Sequence, residues 1–173
     1  MSMRRTLALA TCALAVCAPV LTSCGFDYAT DRIYTPATGV NNREASIDVL
    51  GAVIVSAEDG SGTFVASFAN NSTEEPGTVE ALEGVDDQSQ LTATDFAPIE
   101  VPPSGLVNLA DEDGLEVNGE IAAGEFVPVA LQFGSGERVE LDVPVVTNCG
   151  YYEGLDGPPS ADQCEPESSP AEH

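Results

Sequence analysis

In residues 63–69, TFVASFA, Phe64, Ala66 and Phe68 alternate with Thr63, Val65 and Ser67. A period of two sends successive side chains to opposite faces of an extended chain, so this stretch reads as a half-buried strand. The same signal recurs through the middle of the sequence. Residues 47–55, IDVLGAVIV, are mostly β-branched and apolar, and short strand candidates follow at 79–82, 91–94, 99–101, 105–109, 126–133 and 137–146. Between them lies turn chemistry: EDGSG, NNSTEEPG, VDDQSQ, DEDG, AAGE and GSG. No long run carries a helical stripe. Seven to nine short strands over about 100 residues predict an all-β domain, an antiparallel Greek-key β-sandwich of immunoglobulin or cupredoxin-like type.

The first 23 residues follow a different pattern. Arg4 and Arg5 precede an apolar run from Leu7 to Leu21, which contains Pro19. A spanning helix needs about 20 apolar residues, so this shorter run reads as a signal peptide rather than a permanent anchor. It ends in Leu21-Thr22-Ser23-Cys24, which resembles the bacterial lipobox. In that motif small side chains admit a peptidase and the cysteine thiol accepts a diacylglycerol. Cys24 is therefore the expected lipid anchor and first mature residue. Two or more acyl chains, at about 0.8 kcal/mol per buried CH₂, hold a protein stably on a bilayer. The expected location is the extracytoplasmic face of the cell membrane.

From Cys24 onward the chain keeps Arg32, Arg43 and Arg138 against 29 acidic residues, a net charge of −26 with no lysine. Nucleic-acid binding neutralises phosphates with Lys and Arg, so a nucleic-acid partner is excluded. Anionic lipid would repel this surface as well, which leaves attachment to the lipid chains. The acidity reads as a solvated surface, with a docking face for a basic partner as the alternative.

Cys12 and Cys17 lie in the signal peptide, so Cys149 and Cys164 are the cysteines left beside Cys24. Outside the cytoplasm the two are expected to form a disulfide. A two-thiolate metal site and a redox pair are the alternatives, and neither has the CxxC spacing that would favour it.

The expected organisation is a signal peptide at 1–23, a lipidated tether at 24–44, the sandwich at 45–147, and a disulfide-clipped loop with a disordered acidic tail at 148–173. Phe26, Tyr28, Ile33 and Tyr34 give the tether apolar anchors of the kind found at interface hot spots, so residues 26–40 are the candidate partner-docking segment. The alternative is that they cover an edge of the sandwich.

Motifs for catalysis are missing. The mature chain has one histidine, His173, at its last position. A nucleophile–imidazole pair needs that ring held within hydrogen-bond reach, which a chain end does not provide. There is no G-x-S-x-G elbow, phosphate-binding Gly loop or H-E-x-x-H. Asp111-Glu112-Asp113-Gly114-Leu115-Glu116 fails the EF-hand template and reads as an exposed acidic turn. No catalytic residue, metal ligand or cofactor is assigned.

Three blocks do carry a resemblance: TFVASFANNSTEEP, IEVPPSGLVNLA and GEIAAGEFVPVALQFGSGERVELDVPV. Over roughly residues 46–146 they resemble the periplasmic copper chaperone family PCuAC. The shared features are a strand ending in an Asn-Asn turn, an I-x-V-P-x-x-G segment, and paired V-P-V strands. Bacterial lipoproteins of the LpqE type, which join such a domain to a lipobox, are similar in plan. The family's copper is held by His and Met in two regions, one after the strand that follows the Asn-Asn turn and one after the central Gly. Here those regions read Ser89-Gln90-Leu91-Thr92-Ala93-Thr94 and Asp111-Glu112-Asp113-Gly114-Leu115-Glu116-Val117. Neither has His or Met, and the mature chain has no methionine. Soft Cu(I) favours thioether, thiolate or imidazole donors. The resemblance implies a role in copper oxidase assembly, with cytochrome oxidase or a respiratory supercomplex as partner. The expected function is a non-enzymatic accessory lipoprotein. The alternative is a copper chaperone that delivers Cu(I) to cytochrome oxidase.

Overall fold

The computed structural model describes residues 39–158 and Cys164. Ten strands occur in chain order: β1 Val40–Asn42, β2 Ile47–Ser56, β3 Ser61–Asn70, β4 Gly77–Gly84, β5 Thr92–Ala93, β6 Ile99–Val101, β7 Leu106–Asn108, β8 Leu115–Asn118, β9 Phe126–Phe133 and β10 Arg138–Thr147. Short 3₁₀ turns at Asp86–Gln88, Leu109–Asp111 and Gly150–Tyr152 fill gaps between and after them. The all-β class agrees with the alternation in the sequence. No described helix is long and apolar enough to cross a membrane.

The pairings close a circuit, β2-β10-β9-β4-β5-β8-β3 and back to β2, which is a seven-stranded barrel. Strands β1, β6 and β7 are added outside it, on β2, β4 and β3. The expected Greek-key sandwich thus goes no further here than its all-β class. Nor is the sheet antiparallel throughout. Closure comes from a parallel pairing of β2 with β10, Val145 opposite Ile54 and Val146 opposite Val55. These are two of the three ten-residue strands, from opposite ends of the domain, and joining them removes the edges that an open sheet would expose.

The barrel interior explains the alternation. Phe64, Phe68, Val79, Leu131, Phe133, Val127 and Val129 are buried in one cluster with Ile47, Val49, Ala52 and Ile54. Fully burying each large apolar side chain contributes about 1.5–3 kcal/mol, which makes this face the main stabilising element. In β2 the register shifts between Leu50 and Val53, a bulge that keeps Val49 and Ala52 on the same inward face. Outward-facing Val53, Val55 and Val65 form a second small cluster, covered by Val146, Ala110, Tyr152 and Leu155. This is why residues 53–55 read as a continuous apolar run: both faces of β2 are covered there.

Tyr152 and Leu155 belong to the segment after β10. Asn148, fully buried, donates from Nδ2 to the carbonyls of Asp156 at 3.1 Å and Gly157 at 3.0 Å, and its Oδ1 accepts from the Gly154 amide at 2.9 Å. The Asp156 carboxylate accepts from the Ala57 amide at 2.7 Å and the Thr63 hydroxyl at 2.8 Å, which fastens the loop to β2 and β3. The Cys149–Cys164 disulfide closes over it, with Cα atoms 5.4 Å apart. Both sulfurs are consumed in that bond, so neither is available as a thiolate ligand in this state.

Both V-P-V strands place proline where a ladder partner is missing on one flank. Strand β4 stops at Gly84, opposite Val129, one residue short of Pro128. The parallel ladder to β2 begins at Val145, one residue after Pro144. Proline has no N–H to donate, so these are the positions in a strand that tolerate it.

Candidate functional site

Two polar turns meet at one end of the barrel. Asn70, buried at the end of β3, donates from Nδ2 to the carbonyls of Glu75 and Val101, each at 3.0 Å, and accepts the Ser72 amide at 2.9 Å. The neighbouring Asn71 donates to Asp48 Oδ1 at 2.7 Å. The second turn, Pro102-Pro103-Ser104-Gly105, closes with the Gly105 amide donating to the Pro102 carbonyl at 2.9 Å. Ser104 takes φ 51°, the left-handed conformation that this turn position requires. A Cβ on Gly105 would meet the Pro102 carbonyl oxygen at 2.9 Å. The turns interlock through the Ser104 amide to Ser72 at 2.7 Å and the Asn70 amide to Gly105 at 3.0 Å. The Asn-Asn and P-P-S-G motifs are therefore structural pins of the fold.

The segments corresponding to the family's copper-donor regions come together elsewhere, at a thin seam in the barrel wall. Strand β4 ends at Gly84, whose missing side chain lets Gln88 fold back: a Cβ there would lie 1.9 Å from the Gln88 carbonyl oxygen. The chain then inserts Leu91 into the core and runs as β5. Strand β5 meets β4 at the single pair Glu83–Thr92 and meets β8 at Thr92–Asn118 and Ala93–Val117. Beyond β5 the Thr94 amide donates to the Glu116 carbonyl at 2.8 Å, and its hydroxyl donates to the Glu116 carboxylate at 3.3 Å. The side chains that meet here offer hydroxyl and carboxylate oxygens. None of the donors is soft, and among the described residues no group of three or more His, Cys, Asp or Glu is arranged to hold a metal ion. The residues do not fit Cu(I).

A cavity of about 250 Å³ opens beside the seam, floored by Leu82, Leu91, Ala93 and Phe96 and rimmed by Glu80 and Asp95. The acidic turn before β8 divides in two. Asp111, Glu112 and Asp113 are exposed, whereas Leu115 and Val117 are buried and belong to β8. One carboxyl group is shifted: Glu137 lies below its ordinary range because the Ser46 and Ser135 hydroxyls and the Ser46 amide donate to it.

Of the residues singled out in the sequence, Cys149 and Cys164 are joined as expected. Cys24, Phe26, Tyr28, Ile33, Tyr34 and His173 lie outside the described residues. The segment read as tether contributes Val40–Asn42 as β1, paired antiparallel with β2. Both segments of the seam were singled out in the sequence, with 91–94 read as a strand, but the pairing of β5 with β4 and β8 joins distant segments that no local pattern encodes.

No family model matches the sequence, and no curated protein matches it. Solved structures do. The apo PCuAC domain from PmoF1 superposes with a TM-score of 0.52 at 15% identity, covering 62% of this chain and 99% of that one. The apo PmoF2 PCuAC domain gives 0.50 at 13% identity, covering 62% and 95%. The chain has a PCuAC-type fold.

Proposed function

We propose that the chain is a lipoprotein, anchored through Cys24 at the extracytoplasmic membrane face, whose PCuAC-type domain serves as a non-enzymatic accessory or interaction module of a respiratory copper oxidase complex. One observation carries this reading. The seam where the family resemblance places soft copper donors is closed by Thr94 and Glu116, whose oxygens bond to each other's segment. What this fold retains is the scaffold, which suits recognition of another protein. The lipid attachment accounts for how so acidic a domain stays at a membrane surface. The tether anchors Phe26, Tyr28, Ile33 and Tyr34 are the proposed contacts to the partner.

The test is co-purification in mild detergent of the full chain and of a variant lacking 26–38, a cut that spares β1. Respiratory subunits that accompany the full chain and are lost with the deletion support the reading. Unchanged co-purification overturns docking through the tether, and no respiratory partner with the full chain overturns the assignment to an oxidase complex. Mass spectrometry of the membrane-extracted protein should find Cys24 acylated. An unmodified, soluble product would overturn the anchoring.

A further inference from the structure

The flank of β4 that faces the seam is incompletely paired. Strand β6 covers Gly77 to Val79, with Val79 opposite Ile99, and β5 covers Glu83, opposite Thr92. Between them Glu80, Ala81 and Leu82 have no strand partner on that flank. Successive residues of a strand aim their N–H and C=O groups to alternate sides. Within these three residues, backbone donor and acceptor groups are therefore presented to the gap, and the cavity described above lies against them. Its floor is apolar: Leu82 is buried, and Ala93 and Phe96 pack half-buried onto the core. Its rim is acidic, with Glu80, Glu83 and Asp95 exposed. The two described arginines are engaged elsewhere, Arg43 with Asp48 and Arg138 with Glu140.

We infer that this gap in the barrel wall is a docking groove for a short extended segment of a partner protein that alternates Lys or Arg with apolar residues. The inference rests on the reading of the domain as an interaction module and assigns that module a surface. An added strand would complete the β4 ladder. Its apolar side chains would enter the floor and its cations would meet the rim carboxylates. Three unpaired residues span about 10 Å, which matches a core of about three residues in the added segment.

The probe is the acetylated, amidated pentapeptide Lys-Val-Lys-Val-Lys, added to the full mature protein in detergent. Affinity is read by calorimetry and location by hydrogen exchange. The expected result is saturable binding, with protection centred on residues 80–83 and 92–96. Glu80→Lys with Asp95→Lys should weaken it at least tenfold, whereas Glu112→Lys with Glu153→Lys, both exposed and away from the groove, should leave it within threefold. A peptide N-methylated at both valines and at the central lysine keeps charge and apolarity but is blocked from pairing on either flank of its core, and should bind at least tenfold more weakly. Equal loss with the remote pair would reduce the effect to general attraction by an acidic surface and overturn the groove, as would full affinity of the N-methylated peptide. Failure of the peptide to bind, with native partners still co-purifying, overturns the groove alone. Absence of any co-purifying partner overturns the proposed function instead.

Discussion

Replacing Asn70 with alanine removes three hydrogen bonds from one buried side chain, and their surroundings set the cost. The Glu75 carbonyl and the Ser72 amide lie near the surface, where water can replace the lost partner. The Val101 carbonyl cannot be rescued in this way, because Val101 is fully buried. An unsatisfied buried carbonyl costs about 1–3 kcal/mol and each other bond roughly 0.5–1. The expected loss is therefore about 3 kcal/mol, or roughly 10 °C in Tm for a domain of this size. Asn71→Ala is the matched control. It removes one bond to Asp48, which keeps Arg43 as a neighbour, and should cost about 1 kcal/mol. Urea unfolding of both variants, with unchanged m-values, measures the difference. If Asn70→Ala lies within about 1 kcal/mol of the wild type, or equals Asn71→Ala, the Asn-Asn turn does not pin the β3 end to the β6 end.

Replacing Cys149 and Cys164 with serine opens a loop spanning 15 residues and should lower stability by about 3 kcal/mol in the chain-entropy model. Hydrogen exchange should rise at 148–157 and over Val53 and Val55, and an unchanged melting temperature would show that Asn148 and Asp156 hold the loop unaided. Glu137 contributes in a pH-dependent way. Its folded pKa is depressed, so its stabilising effect is present above its ordinary value of 4.5 and is lost as pH falls through the lowered folded value. Glu137→Gln should therefore flatten the acid limb of the stability profile below about pH 4.5, leaving the variant less stable than the wild type at neutrality and the two converging in acid. Identical acid limbs in variant and wild type would refute the role given to the Ser46 and Ser135 hydroxyls.

Individual strands were legible in the sequence where their residues alternate or run β-branched, including short ones such as β6, and 91–94 and 105–109 contain β5 and β7. Residues 99–101 and 126–133 match β6 and β9 at both ends, and 47–55, 63–69, 79–82 and 137–146 locate β2, β3, β4 and β10 to within a few residues. In each case alternation or a β-branched run persists long enough to be seen. Strand β1 escaped because it lies within the segment read as tether, and β8 because of what precedes it. Leu115-Glu116-Val117-Asn118 does alternate, but it follows so closely on Asp111-Glu112-Asp113-Gly114 that the acidic turn obscured it. Barrel closure was invisible for another reason: pairing of Val145 with Ile54 is a register between distant segments, and no local pattern encodes it. At the seam, the missing His and Met donors could be read from residue identities alone. That Thr94 and Glu116 hydrogen-bond across the two segments required coordinates.

The claim that matters most is that the seam of this PCuAC-type fold offers no soft donor set among the described residues. Titrating the disulfide-bonded protein with Cu(I) against a strong chelator tests it directly. The account predicts that the chelator keeps the metal, because the seam supplies Thr and Glu oxygens and both described cysteines are bridged. One equivalent of Cu(I) retained by the oxidised protein would contradict it.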